Sequence, residues 1–186
     1  MNLNFCAFVF CSSLLSLSVF SYSDLAKSAH AETLQEKRLG DNQIINIMMT
    51  VDKGEIAAAE EATKRQVSPA VDLYAKYLIQ QHQKNLEKLT QLTQQLGIEP
   101  KESDLSNSMI ANGHQGLKAL DELQGKAFDK AFVDAMVKDH QEGLQLIDTK
   151  LIPQTQNPQL KVFVVQFRNM VFAHLEKGLE VQRSLK

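Results

Sequence analysis

The stretch Met136-Val137-Lys138-Asp139-His140-Gln141-Glu142-Gly143-Leu144 lies in the middle of a long amphipathic segment. Apolar residues recur on one side of this segment every three or four positions, which is the spacing of a helix with a buried face. His140 falls on that apolar side. The stretch therefore predicts a long helix that brings an imidazole into the protein core.

Three other segments have the same pattern, and local signals mark their ends. Ser68-Pro69 and Asn157-Pro158 each place an N-cap residue before a proline suited to the first helical position. Gly97 is suited to end the second helix, and Pro153 to end the third. Asp41 is suited to cap the first helix. The predicted long helices cover about residues 41–66, 69–96, 127–152 and 158–185.

The connections between these helices predict how they are arranged. Tight turns join the first helix to the second and the third to the fourth, so each pair forms an antiparallel hairpin. A weaker helix, capped by Ser103 or Asp104 and stopped by Gly125, lies in the longer middle connection. The sequence predicts an all-α fold: an antiparallel four-helix bundle with a short extra helix between helices two and three.

The first 31 residues differ from the rest. An uncharged apolar run from Phe5 to Phe20 precedes Ala29-His30-Ala31, a small-x-small cleavage pattern. We expect residues 1–31 to be a secretory signal peptide and 32–186 to be the bundle domain, periplasmic or secreted; an uncleaved anchor is the alternative. No later segment is apolar enough to span a membrane. Cys6 and Cys11 both lie in the signal, so the mature chain would have neither disulfides nor thiolate ligands.

Charge and motif content exclude several function classes. The net charge is -2, and Lys and Arg are scattered among Asp and Glu, which argues against a nucleic-acid partner. A Gly-rich phosphate loop and an activated Ser or Cys nucleophile are both missing from the sequence. An enzyme is therefore the less favoured interpretation, and it would depend on a single bound metal.

Four polar residues interrupt the apolar faces, one on each long helix: Glu55, His82, His140 and His174. Their distances from the adjoining turns agree to within about two helical turns, so they can lie in the same or adjacent layers. Burying such groups is costly unless they satisfy one another or bind an ion. We predict that they bind one divalent transition metal (Zn, Cu, Fe or Mn); the alternative is a metal-free polar network. His114 is interpreted as a surface residue.

The chain also resembles a known family. The resemblance is carried by Asp52-Lys53-Gly54-Glu55-Ile56-Ala57, Val67-Ser68-Pro69-Ala70-Val71, Phe128-Asp129, Asp139-His140 and the segments around His82 and His174. These are similar to the bacterial domain-of-unknown-function family four-one-four-two, secreted ferritin-like proteins often labelled predicted outer-membrane proteins. The resemblance covers about residues 41–183 and implies the fold and export. It implies no activity.

Two departures limit what the resemblance implies. The family has Asp before its first histidine of helix two, where this chain has Gln81. Ferritins bind two irons through a Glu-x-x-His pair on each of two helices. Here the residues three before the histidines are Ile79, Val137 and Val171, so iron oxidation is not expected.

The sequence leaves two main hypotheses for function. The first is an exported ferritin-like bundle that stores, buffers or senses a transition metal through the inward His/Glu cluster. The second is an envelope stress or interaction module in which the same residues form a purely structural polar core. Neither hypothesis identifies a protein partner.

Overall fold

The computed structural model describes residues 38–185, and within that range the chain is helical and contains no strand. The predicted all-α class is confirmed for these residues, and the predicted signal peptide lies outside them. The helices are α1 (Asp41–Thr63), α2 (Pro69–Leu96), α3 (Asp104–Asp121), α4 (Gly125–Leu146), α5 (Ile152–Gln154) and α6 (Pro158–Ser184), with a π-helical turn (Ile147–Leu151) between α4 and α5.

The long helices form a helical bundle. Helix α1 packs along α2, α4 packs along α6, and contacts between α2 and α6 join the two hairpins. The extra helix α3 packs against α1 and touches α4. None of the helices in residues 38–185 is both long and apolar enough to cross a membrane.

Most helix boundaries follow the local signals in the sequence. Helices α2 and α6 begin at Pro69 and Pro158, as predicted. The Asn157 side chain accepts hydrogen bonds from the first free backbone N–H groups of α6, at 2.9 and 3.1 Å. Gly97 follows α2 with a φ of 63°, a left-handed conformation that glycine adopts without strain.

The predicted cap at Asp41 is wrong. Gly40 occupies the N-cap position of α1, and Asp41 is the first helical residue. The Asp41 carboxylate instead accepts hydrogen bonds from the backbone N–H groups of Gln156 and Asn157, at 2.8 and 2.9 Å. A contact between residues 115 or more positions apart competes successfully with the local cap, and it ties the start of α1 to the start of α6.

Two details of α4 also differ from the sequence prediction. Gly125 does not stop the preceding helix: α3 ends at Asp121, and Gly125, with a φ of 54°, begins α4. The third predicted helix is not a regular α-helix to its end, because it widens into the π turn before Pro153. Proline cannot donate the usual backbone hydrogen bond, and the π turn ends two residues before it.

Two apolar clusters fill the bundle, and a polar layer separates them. Along α2, His82 lies between Leu78 of the first cluster and Leu89 of the second. Along α4 and the π turn, His140 likewise lies between Val137 and Ile147. The buried histidines therefore lie in the polar layer between the two apolar clusters.

Candidate metal centre

Three of the four predicted site residues converge in the polar layer. His82 on α2, His140 on α4 and His174 on α6 are 0%, 2% and 0% exposed. One ring nitrogen from each lies within 4.8 Å of the others. The ring centroids of His82 and His174 are 4.8 Å apart, and those of His140 and His174 are 5.4 Å apart. Three imidazoles are thus close enough to face a common point.

The orientation of His82 depends on a residue that the sequence analysis missed. Asp52 on α1 is fully buried, and its Oδ1 lies 2.8 Å from His82 Nδ1. The Asn85 side-chain amide donates to Asp52 Oδ2 over 2.8 Å. Burial raises the pKa of Asp52, while the hydrogen bonds from His82 and Asn85 act in the opposite direction. With Nδ1–H donated to the carboxylate, His82 Nε2 keeps its lone pair and has no protein partner.

His140 is held through a backbone carbonyl. Its Nδ1 lies 2.7 Å from the carbonyl oxygen of Met136, one turn earlier on α4. A carbonyl oxygen can only accept, so Nδ1 carries the proton and Nε2 carries the lone pair. That Nε2 lies 3.4 Å from His174 Nδ1. The lone pair of His140 therefore points toward the other histidines.

His174 is neutral in the folded protein. Burial, and then the proximity of His82 and His140, lower its pKa from 6.5 to about 2. Its Nε2 is buried without a hydrogen-bond partner. The Tyr74 hydroxyl donates to the His174 carbonyl oxygen over 3.1 Å, which holds α6 in place. The neutral ring is the form that binds metals.

The fourth predicted residue, Glu55, lies beside the histidine cluster rather than within it. It is half-buried, and its Oε2 is shielded from solvent without a hydrogen-bond partner. Glu55 lines a small cavity of about 20 Å³ together with His82 and His140. The structure therefore brings the carboxyl to the neighbourhood of the imidazoles, and its role as a ligand stays a prediction.

The donor set determines which ions suit the site. Three imidazoles favour borderline cations such as Zn(II) and Cu(II), and they offer less to Mg²⁺ or Ca²⁺, which prefer oxygen ligands. The unpaired nitrogens of His82 and His174 are costly in a dry core, and a bound cation would satisfy them. The chemistry of these side chains is therefore suited to one transition metal ion.

Comparison with known proteins supports the fold and identifies the family. A search of curated proteins found no similar sequence. Among solved structures, the chain is similar to CopM in its Cu(II)-bound form, with a TM-score of 0.62 and 18% sequence identity. That similarity covers 80% of this chain and 99% of CopM, and at this identity it shows the shared helical fold alone. A family model matches residues 25–181, and the chain belongs to that family, Domain of unknown function (DUF4142).

Proposed function

We propose that this protein binds one divalent transition metal ion through His82, His140 and His174, with Glu55 as a fourth ligand. In this role it stores, buffers or senses the metal. The observation that carries the proposal is the cluster of three buried imidazoles whose ring nitrogens lie within 4.8 Å of one another. Two of the nitrogens have no partner in the protein, and a metal would supply one.

Copper is the first metal to test. Among divalent first-row ions, Cu(II) has the highest general affinity for nitrogen and oxygen donors, and imidazole suits it well. CopM, which shares the fold, was solved in a Cu(II)-bound form. Zinc is the second choice because three histidines and one carboxylate or water make a common tetrahedral zinc set. Fe and Mn complete the series.

The alternative function is an envelope stress or interaction module with a structural polar core. One observation favours it: Asp52 already pairs with His82 Nδ1 and with the Asn85 amide, and the Met136 carbonyl pairs with His140 Nδ1. Such a network can set the packing of a bundle without any ion. It does not account for the unpaired nitrogens, which is why we place metal binding first.

The test is a thermal melt of tag-free protein, first with chelator and then with Cu(II), Zn(II), Mn(II) or Fe(II). A metal that binds only the folded state, at about a hundredfold excess over its Kd, stabilises it by about 2.7 kcal/mol. His140→Ala should abolish the metal-induced rise in melting temperature. His114→Ala should keep it, because His114 is an exposed residue of α3. If no metal raises the melting temperature, or if both variants respond alike, the site does not exist and the structural core is favoured.

We further propose that the chain is exported, with residues 1–31 removed as a signal peptide, and that the bundle is ferritin-like. The apolar run and the Ala29-His30-Ala31 pattern support export. The intact mass of protein recovered from a periplasmic or culture-medium fraction should correspond to a chain that begins at Glu32. A soluble cytoplasmic pool that retains residues 1–31 would contradict the proposal.

A further inference from the structure

The cavity beside the histidines is lined by both exposed and buried residues. Its walls come from α1 on one side, with Val51 and Glu55, and from α4 on the other, with Asp139 and Gly143. Asp139 is exposed, Glu55 and Gly143 are half-buried, and His82 at the inner end is fully buried. The lining therefore passes from solvent to one of the candidate ligands.

Two carboxylates on facing helices stand along this passage. Asp139 belongs to α4 and Glu55 to α1, and both line the cavity. None of the residues lining the cavity is Lys or Arg. The passage is therefore suited to a cation and unsuited to an anion.

At Gly143, the α4 side of the cavity carries no side chain. A glycine inside a helix costs about 1 kcal/mol relative to alanine, so its presence here needs a reason. A Cβ added to Gly143 would meet only Val171 Cγ1, at 3.8 Å, which is an ordinary contact. Packing does not exclude a side chain at Gly143; its absence leaves space in the passage.

The inner end of the passage shows what it leads to. His82 Nε2 is buried and unpaired, and Glu55 Oε2 is also shielded without a partner. The π turn adds Ile147 and Leu151 to the apolar part of the lining. π-Helical turns occur frequently at functional sites. A cation that enters between α1 and α4 would meet carboxylate oxygens first and an imidazole nitrogen next.

We propose that this cavity is the route by which a divalent metal cation reaches the buried histidines. Asp139 captures the ion at the mouth, Glu55 receives it further in, and Gly143 keeps the passage open. The inference rests on the proposed metal site. A cavity of about 20 Å³ holds about one water molecule, so the hydrated ion must exchange water for carboxylate oxygens before it passes inward. Negative charge at the mouth also raises the local concentration of cations.

The test measures the rate of loading separately from affinity. The chain has no Trp, and the Tyr77 ring lies 5.2 Å from that of His174, so quenching of tyrosine emission by Cu(II) reports arrival of the metal. Stopped-flow mixing with aqueous Cu(II) gives the association rate, and chelator competition gives Kd. The variants are Asp139→Asn and Gly143→Val, and Glu142→Gln is the control because it removes the same charge outside the lining.

Asp139→Asn should slow loading about tenfold, and Glu142→Gln should have little effect. Gly143→Val should slow loading and release together and leave Kd nearly unchanged, because it obstructs the passage without touching a ligand. If valine prevents folding, Gly143→Ala should give a smaller effect of the same kind. Loading at the unaltered rate in both Asp139→Asn and the Gly143 variant would overturn the route while the metal site stands. Absence of metal uptake by the unaltered protein would overturn both proposals.

Discussion

Replacing His174 should change how the stability of the metal-free protein depends on pH. In the folded protein the pKa of His174 is lowered from 6.5 to about 2, first by burial and then by His82 and His140. In the unfolded chain the ring returns to its ordinary pKa and takes up a proton as the pH falls below 6.5. Because the folded pKa is the lower one, the contribution of His174 is fully present above pH 6.5. It is lost as the pH falls toward the folded pKa.

The size of the effect follows from this difference. Well below pH 6.5, unfolding takes up one proton at His174, and the free energy of unfolding falls by about 1.4 kcal/mol per pH unit. Between about pH 7.5 and about pH 5.5, the integrated loss from this group is about 1.4 kcal/mol. The side chain is 0% exposed, so solvent screening does not reduce that figure.

The assay is urea unfolding with chelator at the two pH values, for the unaltered protein and for His174→Phe. Phenylalanine keeps a ring of similar size and removes the titrating group. The difference in unfolding free energy between the unaltered protein and the variant should be smaller by about 1.4 kcal/mol at the lower pH than at the higher pH. Asp52 and Asp139, whose pKa values are raised, act in the opposite direction, and their effects largely cancel because both proteins contain them.

Parallel pH dependence in the two proteins would refute the reasoning. It would mean that His174 binds protons equally in the folded and unfolded states, which requires a ring that water can reach. The dependence of the unfolding free energy on urea concentration should be the same for both proteins, which checks that the variant has not changed the extent of unfolding.

Two further predictions concern packing and ligand orientation. Leu89→Ala should lower the free energy of unfolding by about 2–5 kcal/mol because Leu89 is fully buried. Leu73→Ala on the same helix should change it by no more than about 0.5 kcal/mol because Leu73 is 67% exposed, and equal losses in urea unfolding would contradict the assignment of the buried face. Asp52→Asn should weaken metal affinity about 10–100-fold in a competition titration, since His82 and Asn85 use separate carboxylate oxygens and an amide has only one oxygen. Unchanged affinity would show that Asp52 does not orient the ligand.

The start and end of most helices could be predicted because their causes are local. Proline in the first turn, an asparagine side chain that caps free N–H groups, and a glycine with positive φ each act within a few residues. Pro69, Asn157 and Gly97 behave in this way. The cap predicted at Asp41 is wrong because its cause is not local. The Asp41 carboxylate accepts hydrogen bonds from backbone groups 115 and 116 positions away, which a local signal cannot predict.

The buried face of α1 shows where helical periodicity stops being informative. The sequence places Val51 and Glu55 on the apolar face, whereas in the structure Asp52 is fully buried and Val51 and Glu55 are half-buried at its edge. Successive residues differ by about 100° around a helix, so a face rotated by one position fits a short apolar pattern nearly as well. Asp52 lies four residues after the buried Met48 and therefore belongs to this rotated face, so the sequence contained a signal for its burial.

The sequence by itself determined the all-α class, the order of the long helices and the inward direction of three histidines, because each follows from spacing and capping along one helix. Only the tertiary structure decided which carboxylate pairs with His82 and which nitrogen of that ring is left free, since this contact joins residues 30 positions apart. It also decided that Glu55 lines a small cavity next to the cluster. The rotation and shift of one helix against another are set by packing in the assembled core, and a pattern along a single helix does not contain them.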